Sequence, residues 1–190
     1  MGKKLYINAE ELLIDSYRLA KKVFQTGYCP DVLIGVWRGG TPVGIAMHEY
    51  FMFRDCYPYH TAIKTESYSK EGVADDVDVT GLEHVLKILN RLERPARILL
   101  VDDVFDRGKT MEKVSGMIEQ GTSLEHEIRI ATIFYKPENN QTDRSPDYYL
   151  HTTDRWVVFP HEVRGLTVKE IARKNPALYE LLKENETIGL

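Results

Sequence analysis

Short apolar runs alternate with amphipathic stretches over most of the chain. Runs typical of β-strands cover residues 31–37, 59–64, 98–101 and 128–135. Helical periodicity covers residues 8–27, 42–54, 82–92 and 110–120. Residues 98–101 are apolar at every position, which is typical of a strand that is covered on both faces. The alternation predicts an α/β fold with a doubly wound, mostly parallel sheet flanked by helices, and with the functional site at the carboxyl ends of the strands.

Three other segments lie outside this alternation. Residues 65–81 are polar and acidic, and a connection of this length is more often a functional lid than a simple link. Residues 137–165 combine turn formers with two short strand-like pieces, and the remaining residues have a helical pattern that breaks at Pro176. We therefore predict a single domain over residues 1–190, with a core at 31–136, a mobile loop at 65–81, a small hood at 137–165 that also receives N-terminal residues, and a helical tail at 166–190.

Composition and charge narrow the class of protein. The chain is 43% hydrophobic and 28% charged, which is ordinary for a globular protein. Its net charge of −4 argues against a nucleic-acid partner. We find no signal peptide and no apolar stretch of membrane-spanning length, so we expect no membrane association and a cytoplasmic location. Cys29 and Cys56 form no metal-binding or redox pattern, and we expect free thiols.

The most informative stretch follows residues 98–101. It reads Asp102-Asp103-Val104-Phe105-Asp106-Arg107-Gly108-Lys109-Thr110 and leads into a predicted helix. A glycine loop at a helix N-terminus binds anions, but carboxylates would repel a bare phosphate. We therefore expect a ligand that also carries hydroxyls and a divalent cation, such as a phosphorylated sugar. A nucleoside-triphosphate P-loop is excluded because Asp103 stands where that motif requires glycine.

This stretch resembles the diphosphosugar-binding motif of the type I phosphoribosyltransferases. The resemblance implies that Asp102 and Asp103 contact the two ribose hydroxyls and that Asp106 is the catalytic residue, which accepts a proton from the base. It also implies that the 5′-phosphate is surrounded by the loop residues Asp106, Arg107, Gly108, Lys109 and Thr110. Arg107 stands where the family usually has threonine or serine, and its guanidinium either replaces that hydroxyl as a donor or points to solvent.

Four other stretches occur in the order that this family shows. The resemblance implies a diphosphate-binding loop, often with a cis peptide after its first residue, made of Trp37, Arg38, Gly39 and Gly40. It places Ser67 and Tyr68 on a mobile loop that covers the reacting centre. Lys136, after the last core strand, would donate to O6 of a purine.

The fourth stretch, residues 156–162, resembles the hood of the 6-oxopurine members of the family. The resemblance implies that the Trp156 ring stacks on the base, that the Val157 backbone binds its edge, and that Glu162 lies near the base or the metal. His161 and Glu162 stand where relatives often have tryptophan and aspartate, which leaves the ranking of hypoxanthine, guanine and xanthine open.

Together these resemblances imply a purine-salvage enzyme. It would transfer the phosphoribosyl group of 5-phospho-α-D-ribose 1-diphosphate to N9 of hypoxanthine, guanine or xanthine and release diphosphate. The resemblance further implies Mg²⁺ as cofactor, bound by Asp102, Asp103 and Glu162 partly through water, and a homodimer or homotetramer. Two alternatives remain: a regulatory protein of the same fold that binds the diphosphosugar or a nucleotide, and a transferase that acts on another base.

Overall fold

The computed structural model describes residues 4–68 and 76–183 and contains a six-stranded and a two-stranded sheet. The strands in chain order are β1 (Leu5–Tyr6), β2 (Val32–Trp37), β3 (Tyr59–Tyr68), β4 (Asp76–Thr80), β5 (Arg97–Phe105), β6 (Glu127–Tyr135), β7 (Tyr148–Thr152) and β8 (Val157–Val158). The large sheet has the order β4-β3-β2-β5-β6-β7. Adjacent strands in this sheet are parallel, except that β3 and β4 are antiparallel. The direction of strand addition reverses between β2 and β5, where ligands bind in open α/β sheets.

Helices connect most of these strands. They are α1 (Ala9–Gln25), α2 (Gly40–Phe53), α3 (Leu82–Leu89), α4 (Lys109–Gly121), α5 (Val168–Lys174) and α6 (Pro176–Lys183), with a 3₁₀ turn at Pro137–Asn139. Residues 98–101 of β5 are fully buried, as predicted for a strand covered on both faces. The predicted α/β class with a mostly parallel sheet is thereby confirmed. Within the described ranges, no helix is long and apolar enough to cross a membrane.

The chain forms two compact units. The larger unit, Glu10–Asp154, contains the six-stranded sheet. In its described part, the smaller unit consists of residues 4–9 and 155–183, with β1 parallel to β8 and the helices α5 and α6. The segment 137–165, which the sequence groups as a hood, is therefore divided between the two units. Of the segment predicted as a helical tail, residues 168–174 form α5 and residues 176–183 form α6, with the break at Asn175, and residues 184–190 lie outside the described part of the chain.

The segment predicted as a long mobile loop is mostly a strand pair. Lys64–Tyr68 of β3 pairs with Asp76–Thr80 of β4, whose Val77 and Val79 alternate with polar residues as on a half-buried strand. Residues 69–75 lie outside the described part of the chain. The sequence also ends β5 too early, because the strand continues through its carboxylates to Phe105 while β6 runs beside it as far as Tyr135.

The prediction of free thiols is wrong, because Cys29 and Cys56 form a disulfide with a Cα–Cα distance of 5.9 Å. The pairing follows from the register of the sheet. Val32 of β2 lies opposite Tyr59 of β3, and each cysteine precedes one of these residues by three positions. Two segments that enter adjacent parallel strands run side by side, and the register brings the sulfur atoms together.

Candidate active site

Two adjacent carboxylates mark the carboxyl end of β5. Asp103 is buried, and its backbone amide donates to Oδ1 of Asp102 at 2.9 Å. The backbone amide of Gly40 also donates to the Asp102 carboxyl, and a side-chain hydrogen bond links the two acids. Desolvation by the surrounding protein, together with the negative charge of Asp103, holds the pKa of Asp102 well above its ordinary range. A ligand that brings hydroxyl donors or a cation would favour the ionised pair.

A glycine pair at the end of β2 packs directly on these acids. The peptide between Trp37 and Arg38 is cis, as the resemblance implied. A Cβ at position 39 would overlap the carboxylate of Asp103. A Cβ at position 40 would overlap the Val101 carbonyl oxygen and lie 2.9 Å from Cα of Asp102. Residues 39 and 40 must therefore be glycine for the loop to approach the end of β5 this closely.

The same loop begins the 14-residue helix α2. Its N-cap residue is Gly39, so no side chain caps the first turn. The Thr41 hydroxyl in that turn is buried and has no hydrogen-bond partner among the described residues. Buried polar groups are normally satisfied, and the first amides of a helix attract anions. Loop and helix together thus form a site that an anion with several oxygen acceptors would complete.

The loop between β5 and α4 forms a second anion-binding candidate. Gly108 has a φ of +82°, and α4 begins at the next residue without a capping side chain. A cavity of about 250 Å³ opens here. Its lining consists of residues 102 and 104–111 together with Val77 of β4. Strand β4 therefore forms one wall of the predicted phosphate site, while Arg107 is exposed on the loop.

Asp106, in the same loop, is held by two donors. Nζ of Lys136 lies 3.0 Å from its Oδ2, and Nδ2 of Asn139 lies 2.7 Å from its Oδ1. Lys136 is buried at the end of β6, whereas Asn139 is exposed at the end of the 3₁₀ turn. The structure thus brings two predicted site residues, Asp106 and Lys136, into one ion pair.

The segment after Lys136 also packs on the loop between β5 and α4. The amide of Gln141 donates to the Arg107 carbonyl at 3.0 Å. A Cβ at Gly108 would overlap the Thr142 hydroxyl and lie 2.8 Å from Oδ1 of Asn140. Gly108 is therefore required by its positive φ and by this neighbouring segment.

The remaining predicted purine contacts lie in the smaller unit. The Trp156 ring is 54% exposed. The amides of Leu5 and Ile7 donate to the carbonyls of Trp156 and Val158. In a parallel ladder this pattern turns the backbone groups of Val157 away from β1. An exposed indole thus lies next to a backbone edge that β1 does not use.

Helix α5 contacts both parts of the smaller unit, the segment 159–162 and the N-terminal Lys4. Nζ of Lys174 donates to the carbonyls of Phe159, at 2.5 Å, and Glu162. Burial lowers the pKa of Lys174. Glu170 accepts a bond from Lys4 at 2.7 Å, and the Lys4 ammonium lies 5.2 Å from the centroid of the Trp156 ring. The helical tail therefore holds the segment that the sequence assigns to base binding.

Some predicted roles are not addressed by these contacts. The backbone of Ser67 and Tyr68 ends β3, but their side chains lie outside the described part of the chain. Oε2 of Glu162 accepts from the Phe159 amide at 3.1 Å, and its role as a metal ligand stays a prediction. Within residues 4–68 and 76–183, no three His, Cys, Asp or Glu side chains cluster closely enough to hold a metal ion.

Sequence reasoning missed four residues that contact or complete these sites: Thr41, Val77, Asn139 and Lys174. The signal for Asn139 is weak but present, because the proline after Lys136 starts a turn that returns the chain towards the loop. Lys174 carries no such signal, since it meets the hood segment only through the packing of α5.

An acid pair, a glycine loop and the loop before α4 meet at the point where the strand order reverses, an arrangement suited to a phosphorylated sugar. The chain belongs to the phosphoribosyltransferase family: residues 5–165 match the family model described as a phosphoribosyl transferase domain. The predicted type I phosphoribosyltransferase fold and family are thereby confirmed.

Individual relatives agree with this assignment. The chain is 27% identical over 157 residues to the hypoxanthine-guanine phosphoribosyltransferase of Streptococcus mutans serotype c, an alignment that covers 78% of each chain. The purine phosphoribosyltransferase of Pyrococcus horikoshii is 30% identical, with a TM-score of 0.65 over 86% of this chain and 97% of that one. The xanthine-guanine-hypoxanthine phosphoribosyltransferase of Helicobacter pylori is similar in fold, with 21% identity and a TM-score of 0.64 over 93% and 99% of the two chains.

Proposed function

We propose that this protein is a purine phosphoribosyltransferase that acts on a 6-oxopurine: hypoxanthine, guanine or xanthine. The observation that carries the proposal is the packing of Gly39 on Asp103, which joins a diphosphate-type loop to a ribose-type acid pair. The names of the Streptococcus mutans and Pyrococcus horikoshii relatives support a purine as the acceptor. The second substrate is 5-phospho-α-D-ribose 1-diphosphate.

Each part of the diphosphosugar has a matching feature. The ribose hydroxyls donate to Asp102 and Asp103, and the 5′-phosphate is bound by the loop of residues 106–110 with the first turn of α4. The diphosphate is bound by residues 37–40, with the buried Thr41 hydroxyl as an additional donor. This division places one anion at each of two helix N-termini.

A divalent cation fits this arrangement. The pair Asp102–Asp103 offers hard oxygen ligands, and because burial and the neighbouring Asp103 charge raise the pKa of Asp102, a bound cation would favour its ionised form. Mg²⁺ usually takes one or two carboxylates, with waters and substrate oxygens as its other ligands. Such an ion would neutralise charge on the departing diphosphate, and Glu162 is proposed as a further ligand through water.

The residues proposed to bind the acceptor base are Lys136, Trp156 and Val157. Lys136 donates to O6 of the purine, and the exposed Trp156 ring stacks on the purine ring. The backbone groups of Val157 that β1 does not use bind the edge of the base. Ser67 and Tyr68 are proposed to cover the reacting centre, because water would otherwise capture an oxocarbenium-like sugar.

In the proposed reaction, N9 of the purine forms a bond to C1 of the ribose while the bond from C1 to the diphosphate oxygen breaks. The electron pair leaves with the diphosphate. The purine loses its N7 proton to Asp106, which lies one short turn beyond the ribose-binding acids. Proton transfer by a positioned side chain contributes about 10²- to 10⁴-fold to the rate of such reactions.

The substitution Asp106→Asn tests this assignment. Because the amide cannot accept the proton, we expect kcat to fall by about 10²- to 10⁴-fold. Diphosphosugar affinity, measured by calorimetry with Mg²⁺ present, should change little, since the acids for the ribose remain. Near-normal turnover in the variant would contradict the role of Asp106.

We further propose a cytoplasmic homodimer or homotetramer. An exposed apolar surface on α2 supports self-association: Ile45 is 62% exposed and Phe53 is 80% exposed. Analytical ultracentrifugation of the wild type and of the variant Ile45→Glu/Phe53→Glu tests this. A dimer or tetramer that the variant shifts to monomer is expected, and a monomeric wild type would contradict it.

A further inference from the structure

The two oxygens of Asp106 have different donors. Oδ2 accepts from Nζ of Lys136 at 3.0 Å, and Oδ1 accepts from Nδ2 of Asn139 at 2.7 Å. The shorter bond comes from a neutral amide on the 3₁₀ turn Pro137–Asn139. The proposed reaction uses Asp106 and Lys136 but leaves this amide without a role.

We propose that Asn139 is a positioning residue for Asp106, which anchors Oδ1 and directs Oδ2 towards the base. The inference rests on the proposed function. The two donors differ in how many acceptors they must serve during the reaction. Lys136 must share its protons with O6 when a purine binds, and this weakens its bond to Asp106. The side-chain amide of Asn139 has no second partner in the proposed reaction, so its bond to Oδ1 of Asp106 persists.

The backbone fixes the position of this amide beforehand. The Lys136 amide donates to the Phe105 carbonyl at 2.9 Å, and the Gln141 amide donates to the Arg107 carbonyl at 3.0 Å. These two bonds lie on either side of Asp106 in sequence and tie the returning segment to the loop. Within the turn, the backbone amide of Asn139 donates to the Lys136 carbonyl at 3.1 Å. The side chain of Asn139 therefore meets Asp106 at little cost in conformational freedom.

The arrangement suits both protonation states of Asp106. Before the reaction, the N–H of Asn139 makes a charge-assisted bond to the carboxylate. When N9 bonds to C1 and the N7 proton moves to Oδ2, Oδ1 becomes a carbonyl oxygen that still accepts from Asn139. The acid is thus held in one orientation while its charge changes, as general base catalysis requires.

The test compares Asn139→Ala with Glu138→Ala, which removes an exposed side chain from the same turn. A hydrogen bond to a charged group is worth enough to lower kcat about tenfold or more when it is lost. We expect that loss for Asn139→Ala, with the KM for the diphosphosugar within about twofold of wild type. Glu138→Ala should retain wild-type kcat and KM.

A double-variant cycle separates positioning from a structural role. In an Asp106→Ala background, Asn139→Ala should cause no further loss of turnover, because the carboxylate that it orients is gone. Unchanged kcat in the single variant, an equal loss in Glu138→Ala, or the same loss in both backgrounds would overturn the inference. If the wild type itself forms no nucleotide, the proposed function fails instead, so the two failures are distinguishable.

Discussion

Gly39 and Asp103 are in direct contact, so that even a methyl group on residue 39 would overlap the Asp103 carboxylate. The contact joins the end of β2 to the end of β5, two strands that are neighbours in space but separated by more than 60 positions in sequence. The parts proposed for the diphosphate and for the ribose therefore form one continuous surface. An alteration of either residue should disturb the binding of the whole diphosphosugar.

The variant Gly39→Ala tests this contact. The added methyl group must displace the Asp103 carboxylate, so we expect at least a tenfold loss of diphosphosugar affinity by calorimetry. Gly116→Ala is the matched control, because a Cβ there has no atom within 4 Å. That change in α4 should leave affinity unaltered and raise the free energy of unfolding by up to about 1 kcal/mol. Equal affinities of Gly39→Ala and wild type would contradict the shared surface.

Arg107 is expected to contribute charge to phosphate binding. Its side chain is exposed on the loop that lines the cavity, and a guanidinium near a phosphate strengthens binding most at low salt. We predict that Arg107→Thr weakens diphosphosugar binding several-fold at low ionic strength and less at high ionic strength. Arg91→Thr, outside the cavity lining, serves as the control for net charge. No change in affinity at any salt concentration would exclude a direct role for the guanidinium.

The disulfide should stabilise the larger unit. Cys29 and Cys56 are separated by 27 positions, and closing a loop of that length in the unfolded chain is worth about 3.5 kcal/mol in the entropic model. We predict that Cys29→Ala/Cys56→Ala lowers the free energy of unfolding by about that amount. Dithiothreitol should lower the Tm of the wild type but not of the double variant. A wild-type Tm that is insensitive to reduction would contradict the prediction.

Glu170 gives the smaller unit a defined dependence on pH. The hydrogen bond from Lys4, followed by bonds from Thr167, lowers the Glu170 pKa from 4.5 to about 2. A carboxyl whose pKa is lower in the folded state stabilises that state above its unfolded pKa. Its contribution is lost as the pH falls from about 4.5 towards 2.

The variant Glu170→Gln measures this contribution. The difference in free energy of unfolding between wild type and variant should be constant above pH 5, and it should shrink progressively as the pH falls below 4.5. Denaturant titrations at several pH values would show this. A difference that stays constant down to pH 2 would mean that the Glu170 carboxylate has the same pKa in both states.

The sequence predicts the parts of the site that lie close together along the chain. Asp102 and Asp103 directly follow the apolar residues 98–101 of β5, so the position of the acids near the carboxyl end of that strand follows from local pattern alone. The Cys29–Cys56 bond depends on the register of two strands, which no local pattern encodes. The bond from Asn139 to Asp106 spans 33 positions and requires the 3₁₀ turn to return to the loop. Such contacts emerge only from tertiary packing.

The most direct test of the account is a nucleotide-forming assay with a panel of bases. The protein is incubated with Mg²⁺, 5-phospho-α-D-ribose 1-diphosphate and, separately, hypoxanthine, guanine, xanthine, adenine or uracil, and products are identified by mass spectrometry. We predict a nucleoside 5′-monophosphate and diphosphate from at least one of the three 6-oxopurines. Product from adenine or uracil alone would contradict the proposed acceptor, and no product from any base would instead favour a regulatory protein that only binds the diphosphosugar.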